Sequence, residues 1–247
     1  MVGNVQRFCS KFLFEQGRIP ADSAIIDDEE AVSIIADYRN EDEEGVTRDF
    51  NRYKGYQTII FFQHFIYQLE HQHPWKYYLH PESFTDDDRE AVKHICASQK
   101  IEYDEQAVVN IYHHAQEYMD EANAPGLDGK TADRIRVLLW KMYYANCYAQ
   151  YKEENHLFDF EDLLLYTYDI YRSDPTCKRY PWIQVDEVQD LNGMQLAIID
   201  LLTAEDNPMV MYLGDEQQAI FSFMGAKVET LTLLKMRCKG NVHHLQR

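Results

Sequence analysis

Through the first 155 residues, apolar positions recur at helical spacing. Val32, Ile35 and Ala36 share one face of a segment that Asp27 or Asp28 can cap and that runs through Arg39. An aromatic-rich helix is predicted over about residues 46–70, after which Pro74 and Pro81 break the chain. Thr85 and Asp88 form a capping box ahead of Ala91, Val92 and Ile95. Val108, Ile111, Ala115 and Met119 predict a further helix. After a loop over 123–130, Thr131 is placed to cap a helix that buries Ile135, Leu138, Met142, Ala145 and Ala149.

Beyond residue 155 the pattern changes. A helix over 160–171 leads to a strand over 182–185, a helix over 194–202 and a strand over 209–213. A polar turn, a helix over 229–237 and a strand over 242–245 follow. Strands alternating with helices predict βαβ units, a parallel sheet and an α/β fold. In such sheets ligands bind beyond the carboxyl ends of the strands. The two most polar strand ends are Asp186-Glu187 and Gly214-Asp215, which makes them the places to look for chemistry.

Composition narrows the function classes. Against 24 basic residues stand 42 acidic ones, a net charge of −18 over 247 residues. Such acidity argues against holding nucleic acid or an anionic membrane by bulk charge, while leaving a local contact surface open. Between Ala21 and Phe50 eleven acidic residues face two basic ones, so this stretch holds −9 of the −18 and is expected to be a solvated face. Five scattered cysteines with no C-x-x-C pair suit a reducing cytosol, hence a cytoplasmic protein. The most apolar run, residues 58–69, is interrupted by Gln63, His64 and Gln68, so neither export nor a membrane span is implied. The paired histidines, such as His71/His73 and His113/His114, lack metal-ligand spacing and are expected to be ordinary surface or core residues.

At the first strand end, Asp186-Glu187 following Trp182-Ile183-Gln184-Val185 has the Walker B arrangement, a buried strand delivering two adjacent carboxylates. One carboxylate can hold Mg²⁺, usually through water, and the other can polarise the water that attacks a γ-phosphate. Taken alone, the pair is equally a surface turn. At the second strand end, Gly214 lets the chain turn tightly and an amide such as Gln218 can donate to a phosphate oxygen. Phe221 and Phe223, two apart, would point the same way in extended chain as a platform for bases, although in isolation such rings are more often core.

Taken together, D-E-V-Q-D followed some 25 residues later by L-G-D-E-Q-Q-A-I-F-S-F-M-G-A resembles motifs II and III of the UvrD/Rep/PcrA-like superfamily 1 DNA helicases. Asp159-Phe160-Glu161-Asp162-Leu163-Leu164 resembles the family's D-F-x-D-L-L segment, residues 3–9 its motif Ib, and His244-Leu245-Gln246-Arg247 the start of motif IV. The resemblance implies an incomplete RecA-like parallel sheet with flanking helices plus a large all-helical inserted subdomain. Its segments would be a motor-domain segment over 1–27, the helical insertion over 28–155 and the main motor-domain segment over 156–247. It further implies that Asp186 coordinates Mg²⁺, that Glu187 is the general base, and that Gln189 and Asp190 position the site. Asp186, Gln218 and Asp215 would contact the nucleotide, with Gln218 sensing the γ-phosphate. Phe221 and Phe223 would stack on bases, and Asn4 and Gln6 would lie near the DNA backbone. ATP and Mg²⁺ are thus the implied cofactors of a parent translocase moving 3′ to 5′. Its implied partners are single-stranded DNA or a single/double-strand junction, and a second motor domain.

Three departures qualify these expectations. Asn4 and Gln6 stand where the family usually has Thr and His, and Met224 where it commonly has Arg. Motifs I and Ia are absent from the 247 residues. Ala124-Pro125-Gly126-Leu127-Asp128-Gly129-Lys130-Thr131 satisfies a relaxed phosphate-loop pattern, but a polar amphipathic helix precedes it and Asp128 would repel phosphate, so it is expected to be a helix–helix loop. The chain is therefore expected to be a motor-domain fragment without ATPase activity of its own and with feeble DNA binding. The rival expectations are a degenerate helicase-like module that binds DNA or protein without hydrolysis, and a subunit of a helicase–nuclease.

Overall fold

A computed structural model describes residues 4–206, 208–215, 234–236, 238 and 241–243. The described elements are α1 (Val5–Glu15), β1 (Ala24–Ile25), α2 (Asp28–Tyr38), α3 (Glu43–Arg48), α4 (Phe50–Glu70), α5 (Asp86–Gln99), α6 (Glu105–His113), α7 (Gly129–Glu154), β2 (Leu157–Phe158), α8 (Phe160–Ser173), β3 (Trp182–Val185), α9 (Gly193–Leu202) and β4 (Met209–Tyr212). Helices dominate, and β1 with β2 and β3 with β4 form two small parallel pairs, in keeping with the expected α/β class. The chain divides into two compact units, Met1–Leu163 and Leu164–Arg247.

Acidic side chains take part in most helix starts of the first unit. Asp27 caps α2 in a reciprocal box with Glu30, Asp42 caps α3, and Thr85 with Asp88 boxes α5. Asp49 accepts the amides of Asn51 and Arg52, so the single helix expected over 46–70 is two, α3 and α4, divided where that cap intervenes. Asp128 rather than Thr131 caps α7: its carboxylate accepts the Thr131 amide at 3.0 Å and the Thr131 hydroxyl at 2.7 Å. In α7 the buried position is Tyr148 rather than Ala149, although helical spacing puts Ala149 on the core stripe, because the Tyr148 hydroxyl is drawn to the buried Asp159 carboxylate. α6 stops at His113, although Ala115 stays buried and Met119 packs on the core from a 3₁₀ turn. The apolar spacing thus survives a change of backbone type.

The core of this unit is packed between α2, α4, α5, α6 and α7, with Phe62, Phe65, Ile66, Ile111, Leu138 and Met142 almost fully enclosed. Within it lies a buried ionic cluster. Lys152 donates to Asp159 at 2.8 Å, to Asp162 at 2.5 Å and to Gln63 at 3.1 Å. Tyr148 donates to Asp159 at 2.8 Å, and His64 Nε2 lies 2.9 Å from the same oxygen. A carboxylate only accepts, so this ring nitrogen carries the proton. The D-F-E-D run is itself a reciprocal cap, because Asp159 and Asp162 each accept the other's backbone amide, at 2.9 and 3.0 Å respectively.

Burial, the largest influence on each group, opposes its charge, and the neighbours overturn that in different degrees. The Asp159 and Asp162 carboxylates hold His64 and Lys152 above their ordinary values despite burial. His64 and Lys152 hold Asp159 well below its own. Burial and then repulsion by Asp159 push Asp162 up to about 6. His64, Asp159 and Glu161 bring ligand atoms close enough for a metal ion, but the Lys152 ammonium already serves as the cation of this cluster.

In the second unit β3 and β4 pair in parallel, Trp182 opposite Met209 and Val185 opposite Tyr212. The sequence suggested a buried strand. Instead the pleat alternates, with Trp182 and Gln184 exposed and Val185 buried, because one face of the pair is open among the described residues. Val242 and His243 are irregular rather than part of a strand, and the helix expected over 229–237 lies largely outside the described residues. No described helix is long and apolar enough to cross a membrane.

Replacing Lys152 by Met should destabilise the chain by roughly 3–5 kcal/mol in urea unfolding, since it strands two buried carboxylates. A loss below about 1 kcal/mol would show that the cluster does not hold the helices together.

Candidate nucleotide site at two strand ends

The backbone ladder of β3 and β4 continues past both strands. Leu213 donates its amide to the Val185 carbonyl at 2.7 Å, and Val188 donates to the Leu213 carbonyl at 3.0 Å. Between them the chain must turn, and Glu187 takes the left-handed conformation, φ 50° and ψ 42°. For a residue with a side chain this costs on the order of 1–2 kcal/mol. The turn leads into a 3₁₀ segment, Val188–Asp190, and then to α9, which Asn192 caps reciprocally with Gln195.

Gln189 joins the two strand ends. Its side chain is almost fully enclosed, with 1% exposure. Nε2 donates to Glu187 Oε2 at 2.5 Å, and Oε1 accepts the Asp215 amide at 3.2 Å. Only this orientation of the amide satisfies both neighbours, because the carboxylate cannot donate and the backbone N–H cannot accept. Gly214 makes the approach possible. A Cβ at this position would fall 2.7 Å from Gln189 Oε1 and 2.8 Å from Val188 Cγ1. Glycine is therefore required for space rather than for the tight turn expected from sequence, and the left-handed residue is Glu187.

The adjacent acids have different partners. Asp186 Oδ1 accepts the Glu187 amide at 2.9 Å, whereas Glu187 is held by Gln189. Asp186, Glu187, Asp190 and Asp215 are all exposed at this edge. Hard carboxylate oxygens facing solvent fit a Mg²⁺ ion that keeps most of its waters and takes one or two protein ligands beside substrate phosphates. Asp186 would hold such an ion, which would supply charge neutralisation at the phosphates.

Of the remaining sequence-derived residues, Gln218, Phe221, Phe223 and Met224 lie outside the described residues. Asn4 caps α1, its side chain accepting the Arg7 amide at 2.7 Å, and Gln6 is half-buried in the first turn. The loop 124–131 follows a 3₁₀ turn rather than a strand, and the Asp128 carboxylate occupies the α7 N-terminus where a phosphate would have to sit. His64 and Lys152, which pair with the D-F-E-D run, escaped the sequence reading. Their signal was polar residues on the inward faces of α4 and α7.

Comparison with known proteins places the chain. A profile of the UvrD/REP helicase N-terminal domain matches residues 2–239. The chain belongs to that family of UvrD-like superfamily 1 helicases. Among individual relatives, it is 36% identical over 97 residues to DNA helicase II of Escherichia coli, covering 37% of this chain and 13% of the relative. To ATP-dependent DNA helicase PcrA of Leuconostoc citreum it is 30% identical over 95 residues, 35% of this chain and 13% of the relative. To ATP-dependent DNA helicase srs2 of Schizosaccharomyces pombe it is 30% identical over 113 residues, 45% and 12% respectively. The chain thus matches about a fifth or less of the length of its curated relatives.

Gly214→Ala should push Gln189 off the Asp215 amide. The expected result is faster hydrogen exchange at Asp215 and a stability loss of roughly 1–3 kcal/mol. Unaltered exchange there would mean that Gln189 does not tie the strand ends together.

Proposed function

We propose that the chain forms most of the first motor domain of an ATP-driven DNA helicase or translocase. The observation that carries this reading is the junction at the ends of β3 and β4, where two adjacent carboxylates have separate partners and Gln189 links one of them to the neighbouring strand. Asp186 would hold a hydrated Mg²⁺, which would supply charge neutralisation at the nucleotide phosphates. Glu187 accepts the proton of the water that attacks the γ-phosphorus as the bond to the ADP oxygen breaks. Gln189 and Asp190 position these groups, Asp215 and Gln218 face the nucleotide, and Gln218 reports the γ-phosphate. Phe221 and Phe223 stack on single-stranded DNA, with Asn4 and Gln6 near its backbone.

Residues 1–27 and 156–247 belong to a RecA-like motor domain, and 28–155 are a helical insertion. The parallel pairing of Ala24 with Leu157 and of Ile25 with Phe158 supports this division, since the chain departs and returns side by side around the helices. The 247 residues alone hydrolyse no ATP, because the one G-K-T run is a capped helix start. A second motor domain completes the machine.

In the full-length protein, Glu187→Gln should retain Mg²⁺-dependent nucleotide binding and lose about 10²–10⁴-fold in ATP turnover. Asp186→Asn should weaken the Mg²⁺ dependence of binding itself, and Lys130→Ala should change neither. Glu187→Gln at full turnover, loss of nucleotide binding in a folded Lys130→Ala protein, or Glu187-dependent turnover by the 247 residues alone would each overturn the assignment.

A further inference from the structure

The stretch that carries half of the net charge does more than face water. It borders a cavity of about 550 Å³ in the first unit. Ile26, Ile34, Tyr151 and Leu157 supply its apolar surface. Glu29 and Glu30 of α2 and Glu43 and Glu44 of α3 stand around it. Glu30 serves the α2 cap and Glu44 pairs with Arg48, whereas Glu29 and Glu43 have no cationic partner among the described residues.

The apolar surface continues beyond the cavity. Tyr151 meets Tyr38 edge-on, ring centres 6.3 Å apart, and Tyr38 is 43% exposed. Farther along α7, Val137 is 65% and Trp140 45% exposed, with Trp140 against Tyr144 at 6.1 Å. Val137 and Trp140 lie away from the core-facing positions 135, 138, 142 and 145 and stay exposed, whereas Tyr144 and Tyr151 are half-buried and the Arg39 guanidinium lies over the Trp140 and Tyr144 rings, 5.7 and 5.3 Å from their centres. Clustered exposed aromatics beside a concave apolar surface are the usual make-up of a binding centre.

We infer that this face docks a segment of a partner protein in which an apolar anchor is flanked by lysines or arginines. Charge selects that occupant. A second copy of the chain, at −18, would bring like charge to the acidic rim, and DNA, RNA or an anionic membrane would be repelled by it. Lysines or arginines beside the anchor meet Glu29 and Glu43, while the anchor fills the space between Ile26, Ile34 and Leu157. The inference is independent of the strand-end site and of its assignment to ATP.

The test is fluorescence anisotropy of the 247-residue chain with a labelled peptide bearing a central Leu-Phe-Leu between lysine triplets. Binding should weaken with salt, and a matched peptide with glutamate triplets should not bind. A lysine peptide with a central Gly-Ser-Gly should bind at least tenfold more weakly. Glu29→Gln with Glu43→Gln should lower affinity about tenfold without altering the melting temperature, and Ile34→Glu should abolish binding in a chain whose circular dichroism is unchanged. Equal binding of the Gly-Ser-Gly peptide, unchanged affinity in the Glu29/Glu43 variant, displacement by an oligothymidylate or concentration-dependent dimerisation through this face would overturn the proposal.

Discussion

Burying a polar side chain is unfavourable by several kcal/mol unless each of its hydrogen-bonding atoms finds a partner, and both units are organised around that constraint. In the first unit it falls on Lys152, whose ammonium is matched by Asp159, Asp162 and Gln63. Those partners come from α4, from the start of α8 and from the turn before it, so the cluster fixes three segments at one point. In the second unit it falls on Gln189, matched by Glu187 on one side and the Asp215 amide on the other. Removing a partner leaves an enclosed polar atom unsatisfied, which gives each arrangement its specificity.

The Gln189 arrangement bears directly on chemistry. A motor needs its hydrolytic carboxylate held still and its nucleotide state felt by the neighbouring strand. Under the proposed function a single enclosed amide would do both, since Gln189 holds Glu187 on one side and the Asp215 amide on the other. The close approach depends on Gly214, and the left-handed turn at Glu187 stores modest strain where two adjacent acids must serve different partners. The acidity of the chain is compatible with a DNA-tracking role because half of it is concentrated over residues 21–50, around the cavity bordered by α2 and α3.

Elements with strong local signals were legible. Residues 182–185 form β3 at the expected bounds, and the Thr85–Asp88 box starts α5 as its residues demand. Two of the errors share a cause, competition among short polar side chains for helix starts. Asp49 splits one expected helix and Asp128 displaces Thr131, because an aspartate accepts two amides or an amide and a hydroxyl at once. The pairing of β1 with β2 could not be read, since each strand is two residues long and its partner is more than a hundred residues away. That Asp186 and Glu187 directly follow β3 was legible from the order of the residues. The enclosure of Gln189 and the spatial need for Gly214 were not, because both arise from the approach of two strands. The Lys152 cluster was hidden for the same reason, its His64 and Asp159 being 95 residues apart along the chain.

The claim that β3 delivers one carboxylate to a cation and the other to water is tested most directly by a crystal structure of the full-length protein with Mg²⁺ and a non-hydrolysable ATP analogue. If the reading is right, the cation lies on the Asp186 side of the strand ends, bound directly or through water, and a water poised at the γ-phosphorus touches Glu187. A nucleotide at the start of α7 beside Lys130, or a single ion chelated jointly by Asp186 and Glu187, would contradict it.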